Sequence, residues 1–175
     1  MDSFKEQIVK KIPSTKDRTL KTLIMVAGIF LAALILLFSF LYLPMVAAFS
    51  VFIAAALVYG AFFLAQRFSV EYEYIYTNGE MDVDKIIAQR SRKRLVTVKM
   101  DTATAFGVAD DNYTVDSDKT LILASSNSAD DAEYYIEFSH KSLGASVIIF
   151  SPDEDLLELV KSSLPRQLKK EIGKY

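Results

Sequence analysis

Hydrophobic and polar residues are unevenly distributed along the chain, and one long apolar run dominates its first half. No Asp, Glu, Lys, Arg or His occurs from Thr22 to Gln66. The run is about twice the ~20 residues that one helix needs to cross a bilayer. Pro44 interrupts it near the middle, where a proline disrupts a helix interior. The pattern therefore predicts two transmembrane helices, about 22–43 and 45–66, joined by a tight hairpin.

Charged residues on either side of the run predict its orientation. Residues 1–21 carry more Lys and Arg than Asp and Glu, and Arg67 follows the second predicted span directly. Basic residues are retained on the cytoplasmic side of a membrane. We therefore expect a two-span protein of the cell membrane with both termini in the cytoplasm. The absence of cysteine fits a reducing compartment.

After Arg67 the pattern changes to short alternating segments separated by turn formers. In residues 69–77 tyrosines recur at every second position, and Asn78-Gly79 follows, a strong signal for a two-residue hairpin turn. A turn there places Tyr74 opposite Val83 and Val70 opposite Ile87, with 80–87 as the second strand. Five further strands are predicted at 95–100, 104–109, 120–125, 133–139 and 145–150.

A helix is predicted at the end of the chain. Ser151 is the expected N-cap and Pro152 the first helical residue, followed by acidic residues and an apolar stripe at helical spacing. The predicted fold class is a membrane α+β protein, with a transmembrane helical hairpin followed by a seven-stranded β-domain and a C-terminal helix. The predicted divisions are residues 1–21, 22–66 and 67–175.

This arrangement resembles a known family. Seven strands and a C-terminal helix are the pattern of pleckstrin-homology-like (PH-like) domains. A two-helix hairpin followed by "YEYIYTNGEMDVDKIIAQRSRKRLV" resembles uncharacterised bacterial membrane proteins with a cytoplasmic PH-like domain. The resemblance implies the architecture and no particular ligand, because a fold alone does not define a function.

A dense basic run, "QRSRKRL", lies between the second and third predicted strands. Because the two legs of the Asn78-Gly79 hairpin are equal in length, the register carries Arg67 to a position facing Arg90, beside the inner leaflet. Three interpretations are open for the run: contact with anionic lipid headgroups, contact with an acidic protein partner, and a solvated strand end whose charges anchor topology and balance nearby Asp and Glu. The predicted contact residues are Arg67, Arg90, Arg92, Lys93 and Arg94.

Two terminal segments show basic amphipathic patterns. Near the N-terminus Phe4, Ile8 and Ile12 recur every four residues among lysines, which predicts an interfacial helix or a frayed tail. Near the C-terminus Leu164, Leu168 and Ile172 recur in the same way. That second pattern predicts continuation of the terminal helix after a break at Pro165.

Small residues recur at four-residue spacing within the apolar run, and such pairs let helices approach closely. We expect them to pack the two spans against each other. The pairs are Gly28 with Ala32, Ser50 with Ala54, and Ala56 with Gly60. Neither span carries an ionisable residue, which argues against a channel or transporter.

The sequence contains no motif for catalysis, metal binding or a cofactor. There is no cysteine and a single histidine, His140, and no Gly-rich phosphate loop or metal-spaced cluster occurs. Residues 67–175 contain 19 acidic and 14 basic residues, which disfavours nucleic acid. We predict a non-enzymatic, membrane-tethered binding or scaffolding module. The alternatives are an accessory subunit that packs through its hairpin, and an enzyme whose acidic residues converge from distant loops.

Overall fold

The computed structural model describes residues 3–110 and 113–172 and divides the chain into two units. The hairpin unit comprises residues 13–69. The β-domain comprises the residues up to Ile12 and those from Val70 onward. The β-domain is therefore discontinuous in sequence, because the hairpin unit is inserted between its first two strands.

The hairpin unit consists of two long helices. Helix α1 spans Thr15–Tyr42 and helix α2 spans Ala47–Gln66, with one 3₁₀ turn, Pro44–Val46, between them. Ser14 caps α1, since its Oγ accepts a 3.2 Å hydrogen bond from the Asp17 N–H. Both helices are long and apolar enough to cross a membrane, with mean hydropathies of 2.8 and 2.2.

The first sheet of the β-domain, sheet A, has four antiparallel strands in the order β1-β2-β3-β4. Their ranges are Phe4–Lys10, Val70–Thr77, Glu80–Ile87 and Ser91–Lys99. The register predicted from the Asn-Gly turn is confirmed, with Tyr74 opposite Val83 and Val70 opposite Ile87. The tyrosines that alternate along β2 point into the core and are almost fully buried.

Strand β1 corrects the prediction for the N-terminus. Residues 4–10 form a strand that pairs with β2, and not an interfacial helix or a frayed tail. A spacing of four residues keeps side chains on one face in a strand as well as in a helix, so the pattern of Phe4 and Ile8 did not distinguish them. Gln7 fastens this strand to the C-terminal region through hydrogen bonds to the Ser151 carbonyl (3.1 Å) and from the Asp153 N–H (2.9 Å).

The second sheet, sheet B, has the order β5-β7-β8-β6. Its strands are β5 (Ala103–Val108), β6 (Thr120–Ala124), β7 (Tyr134–His140) and β8 (Gly144–Phe150). Strand β6 pairs with β8 in parallel, and the other pairs are antiparallel. The described chain thus has eight strands where seven were predicted. The inner faces of both sheets share one apolar core.

Two helices follow the last strand. Helix α3 spans Glu154–Ser163 and buries Leu156 and Val160 in the core, and helix α4 spans Arg166–Ile172. The predicted cap at Ser151 is wrong. The N-cap is Asp153, whose carboxylate accepts a 2.8 Å hydrogen bond from the Leu156 N–H. The Ser151 hydroxyl is buried and instead accepts a hydrogen bond from the Ser126 N–H (3.0 Å).

Candidate functional site

One end of sheet A carries both chain connections to the hairpin unit, and we call it the linker end. Strand β1 finishes there and β2 begins there, with Lys10 opposite Glu71. The β3–β4 turn lies at the same end, because Val70 pairs with Ile87. Only residues 11–14 and 67–69 separate the two strands from the two long helices. The opposite end of the sheet, which carries Asn78-Gly79, is called the distal end.

The β3–β4 turn at the linker end has an unusual backbone. Ala88 and Gln89 have φ values of 54° and 56°, and the Arg90 N–H donates to the Ile87 carbonyl at 3.1 Å. Two successive residues in this region define a type I′ turn, which favours Asn-Gly because a Cβ is strained there. Gln89 also donates a 3.1 Å hydrogen bond to Glu71. The turn is tight but lacks the residues that suit it.

A β-bulge determines which side chains of the basic run lie on each face of β4. The register shifts between Val83 and Asp84, so that Val83 pairs with Val96 while Asp84 pairs with Arg94. The bulged residue is Leu95. A one-residue slip moves every later side chain to the opposite face. Arg92 and Arg94 consequently share the outer face with the carboxylates of β2 and β3, and Lys93 faces the other way.

Arg92 is engaged by a buried carboxylate. Its guanidinium lies 2.8 Å from Glu73 Oε1, and the Glu73 side chain is only 2% exposed. The other carboxylate oxygen, Oε2, is buried and has no hydrogen-bond partner within the described residues. Burial raises the pKa of Glu73, and the nearby Glu6 and Asp84 carboxylates add to this against the opposing effect of Arg92.

Arg94 is held between two aspartates. Its guanidinium lies 2.6 Å from Asp82, and its Nε donates to Asp84, whose side chain is 5% exposed. The hydrogen bond to Asp84 raises the pKa of the Arg94 guanidinium. The two arginines therefore satisfy carboxylates of their own sheet, as the third interpretation of the basic run expects.

The lysines on the inner face of the linker end have a different environment. Lys93 pairs with Lys85 on β3, so two ammonium groups occupy directly opposed positions. Lys93 is exposed and Lys85 is half-buried. Neither lysine has an ion-pair partner among residues 3–110 and 113–172. Like charges in opposed positions destabilise a sheet, and an anion between them relieves that repulsion.

The remaining predicted contact residues are divided between the two units. Arg67 belongs to the hairpin unit, where its guanidinium lies over the Phe63 ring at 5.9 Å from the centroid. Arg90 closes the β3–β4 turn through its backbone N–H and is exposed. Lys10, at the end of β1, is also exposed and adds a cation to the linker end.

The predicted helix-packing residues fall into two groups. Gly28, Ala32, Ser50 and Ala54 are buried in the hairpin unit. A Cβ at Gly28 would lie 2.4 Å from the Ala61 Cβ, so the glycine lets the two helices approach closely. Ala56 and Gly60 do not pack in this way, because Ala56 is exposed and a Cβ at Gly60 would have no neighbour within 4 Å. They lie on another face of α2, so the prediction that this pair packs the two helices together is wrong.

The described part of the chain contains no group of three or more His, Cys, Asp or Glu residues arranged to hold a metal ion. The ring of His140 lies edge-on to Phe138 at 6.4 Å, and its Nδ1 lies 3.1 Å from the Ser142 hydroxyl. Asp111 lies outside the described residues.

Two features of the site were not found from the sequence. The first is Lys85, a single basic residue among acidic and apolar ones. Its place in the site becomes evident only because Lys93 lies directly opposite it. The second is the burial of Glu73 and Asp84. Their opposed positions follow from the Asn-Gly register, and two opposed carboxylates are a signal that cations from a neighbouring strand are needed.

These features define a class of protein: a two-sheet β-domain closed by a C-terminal helix, with an apolar helical hairpin inserted after its first strand. The chain belongs to the bacterial PH-like domain family (DUF6106), whose model matches residues 1–170. The family description names a fold but no ligand or reaction. No curated protein and no solved structure matches the chain. The resemblance noted in the sequence is therefore confirmed at the level of the family.

Proposed function

We propose that this protein is a non-catalytic binding module tethered in the cell membrane, and that the linker end of its β-domain contacts anionic lipid headgroups. The observation that carries the proposal is the opposed pair Lys85 and Lys93, which has no ion-pair partner in the described chain. The pair lies at the end of the sheet from which both connections to the apolar hairpin depart.

The composition and exposure of the hairpin support a membrane location. Only 17% of the most apolar stretch of α1 is buried within the protein, and only 22% of the corresponding stretch of α2. Leaving so much apolar surface in water is unfavourable, whereas lipid solvates it. The excess of Lys and Arg before α1 and Arg67 after α2 support cytoplasmic termini.

The charges at the linker end favour lysine over arginine as the lipid contact. A basic side chain near an anionic leaflet gains about 1 kcal/mol. Arg92 and Arg94 already neutralise carboxylates of sheet A, so their net attraction for a headgroup is reduced. Lys85 and Lys93 carry no such compensation. Together with Lys10 they supply the positive field that a phosphate group prefers.

The proposal is tested by hydrogen–deuterium exchange on full-length protein in nanodiscs, with and without phosphatidylserine. We expect the amides of residues 85–93 to exchange more slowly in the anionic discs. The double variant Lys85→Gln/Lys93→Gln should lose this protection. A matched control, Lys141→Gln/Lys170→Gln, removes the same charge from exposed lysines elsewhere in the β-domain and should keep it.

Two outcomes contradict the proposal. One is equal exchange in neutral and anionic discs for the wild-type protein. The other is an equal loss of protection in the test and control variants, which would reduce the effect to net charge. Protection that appears only when other membrane proteins are present would instead identify an acidic protein partner for the same lysines.

A further inference from the structure

Strand β6 forms an unprotected edge of sheet B. Among the described residues it pairs only with β8, and its sequence TLILA contains no charged residue, proline or glycine. Leu121 and Leu123 point away from the core and are 44% and 56% exposed. Ile122, between them, packs against the core. An edge strand with outward leucines and no charged residue is a template for pairing with another strand.

The other three sheet edges differ from β6. Strand β1 carries Lys5, Glu6 and Lys10, and β4 carries four basic residues, which are the charges that natural edge strands use against pairing. Strand β5 lacks charge, but helix α4 lies against it. Of the edges in the described chain, β6 alone lacks charged side chains and also lacks a helix packed against it to the extent that α4 packs against β5.

We propose that β6 pairs with β6 of a second copy of this chain, which joins the two B sheets across a two-fold axis. A closed pair of identical surfaces needs two-fold symmetry, and that symmetry makes the two edge strands antiparallel. Centring the axis on Ile122 places Leu121 opposite Leu123 of the second copy. The four outward leucines then form one apolar cluster, which removes them from water.

The flanking charges suit this self-pairing. The strand residues that would pair, Thr120–Ala124, are all uncharged, and Asp118 and Lys119 lie in the turn and bend that precede them. No charged side chain meets a like charge. Lys119 is in addition neutralised within its own chain by Asp116 at 2.8 Å and Glu137 at 2.7 Å. Self-pairing therefore meets no electrostatic obstacle, and it is independent of the membrane-surface proposal.

The absence of natural cysteine makes disulfide trapping a direct test. Residues directly opposed in an antiparallel pair have Cα atoms about 4.5–5.5 Å apart, within the range that a disulfide spans. Two full-length proteins with different tags, one Leu121→Cys and one Leu123→Cys, are reconstituted together and oxidised. We expect the mixed dimer to exceed either homodimer, because identical positions are offset to about 8 Å.

The control is Val108→Cys on edge strand β5, whose native residue is 55% exposed and thus as accessible as Leu123. It should give only the dimers that random collisions produce. A mixed dimer no more abundant than the Val108→Cys dimer overturns the proposal. Trapping of a different protein in native membranes, without the mixed dimer, also overturns it and assigns the edge to a foreign strand.

Discussion

Sheet A has a tight turn at each end with two successive residues at positive φ, and only one of the two turns has residues that suit this conformation. At the distal end Asn78 and Gly79 have φ values of 48° and 92°, where glycine has no steric penalty. At the linker end Ala88 and Gln89 adopt similar angles with side chains that disfavour them. The comparison shows that local preference sets the first turn, whereas pairing of the flanking strands imposes the second.

The two ends also differ in how their charges are arranged. At the distal end Lys99 and Glu80 form an ion pair in which both side chains are about half exposed. At the linker end Arg92 and Arg94 reach carboxylates that are nearly fully buried. Strained backbone and uncompensated lysines coincide at the linker end, which is typical of a binding surface and less typical of a purely structural turn.

The largest expected effect comes from breaking the charge arrangement near the linker end. Arg94→Gln leaves Asp84 buried without its cation, and Asp82 loses the same partner. We expect the free energy of unfolding to fall by about 2 kcal/mol, because an uncompensated buried acceptor retains its desolvation penalty. Urea unfolding in mild detergent, followed by tyrosine fluorescence, measures it. An unchanged midpoint would show that water already solvates Asp84.

Exchanging the turn residues is the next largest change. Ala88→Asn with Gln89→Gly should raise the free energy of unfolding by about 1–2 kcal/mol, because it removes the strain of two left-handed residues. The reciprocal change, Asn78→Ala with Gly79→Gln, should lower it by a similar amount. The same urea titration applies. If both exchanges move stability in one direction, the two turns do not differ in the way described.

The raised pKa of Glu73 predicts a pH dependence. The folded protein holds the proton of the Glu73 carboxyl more tightly than the unfolded chain does. The stability that this difference contributes is present below the usual pKa of 4.5 and is lost as pH rises through the raised pKa of the folded state. Glu73→Gln should therefore flatten the fall in stability above pH 4.5. Unfolding titrations across that range compare the slopes. Parallel wild-type and variant curves would contradict a raised pKa.

The smallest effect is expected at the distal end. Lys99→Gln removes an ion pair whose side chains are 55% and 50% exposed. Water and salt screen such a pair, so we expect a loss of no more than about 0.5 kcal/mol. It serves as the control for Arg94→Gln in the same titration. A loss as large as that of Arg94→Gln would remove the distinction between the two ends.

The parts of this fold that depend on local preference were predictable. The uncharged run with Pro44 predicts the two helices, and Asn78-Gly79 predicts the register of β2 and β3. Strand β1 was missed because its partner follows the whole hairpin in sequence, and its four-residue spacing also suits a helix. The N-cap was placed two residues early because Ser151 and Asp153 both have capping side chains, and the contacts that distinguish them come from Ser126 and Gln7, which are distant in sequence.

The candidate site was predicted in position but not in its chemistry. The Asn-Gly register placed the basic run at the end of sheet A where β2 begins. The run was expected between two strands, however, and it instead forms the β3–β4 turn and the first half of β4. The bulge at Leu95 then changed which side chains of the basic run face the carboxylates of sheet A. No local residue preference predicts such a bulge. The pairing of Lys85 with Lys93 depends on the same register, so it could be recognised only once the strands were in place.

The central claim is that the linker end of the β-domain lies against anionic lipid. Spin labels on two single-cysteine variants, Ser91→Cys at the linker end and Thr77→Cys at the distal end, test it in full-length protein within anionic bilayers. Both native residues are exposed hydroxyl side chains of sheet A. We predict that the label at residue 91 collides more with lipid-soluble oxygen and less with a water-soluble nickel complex than the label at residue 77. Equal accessibility at the two positions, or a reversed order, would contradict the claim.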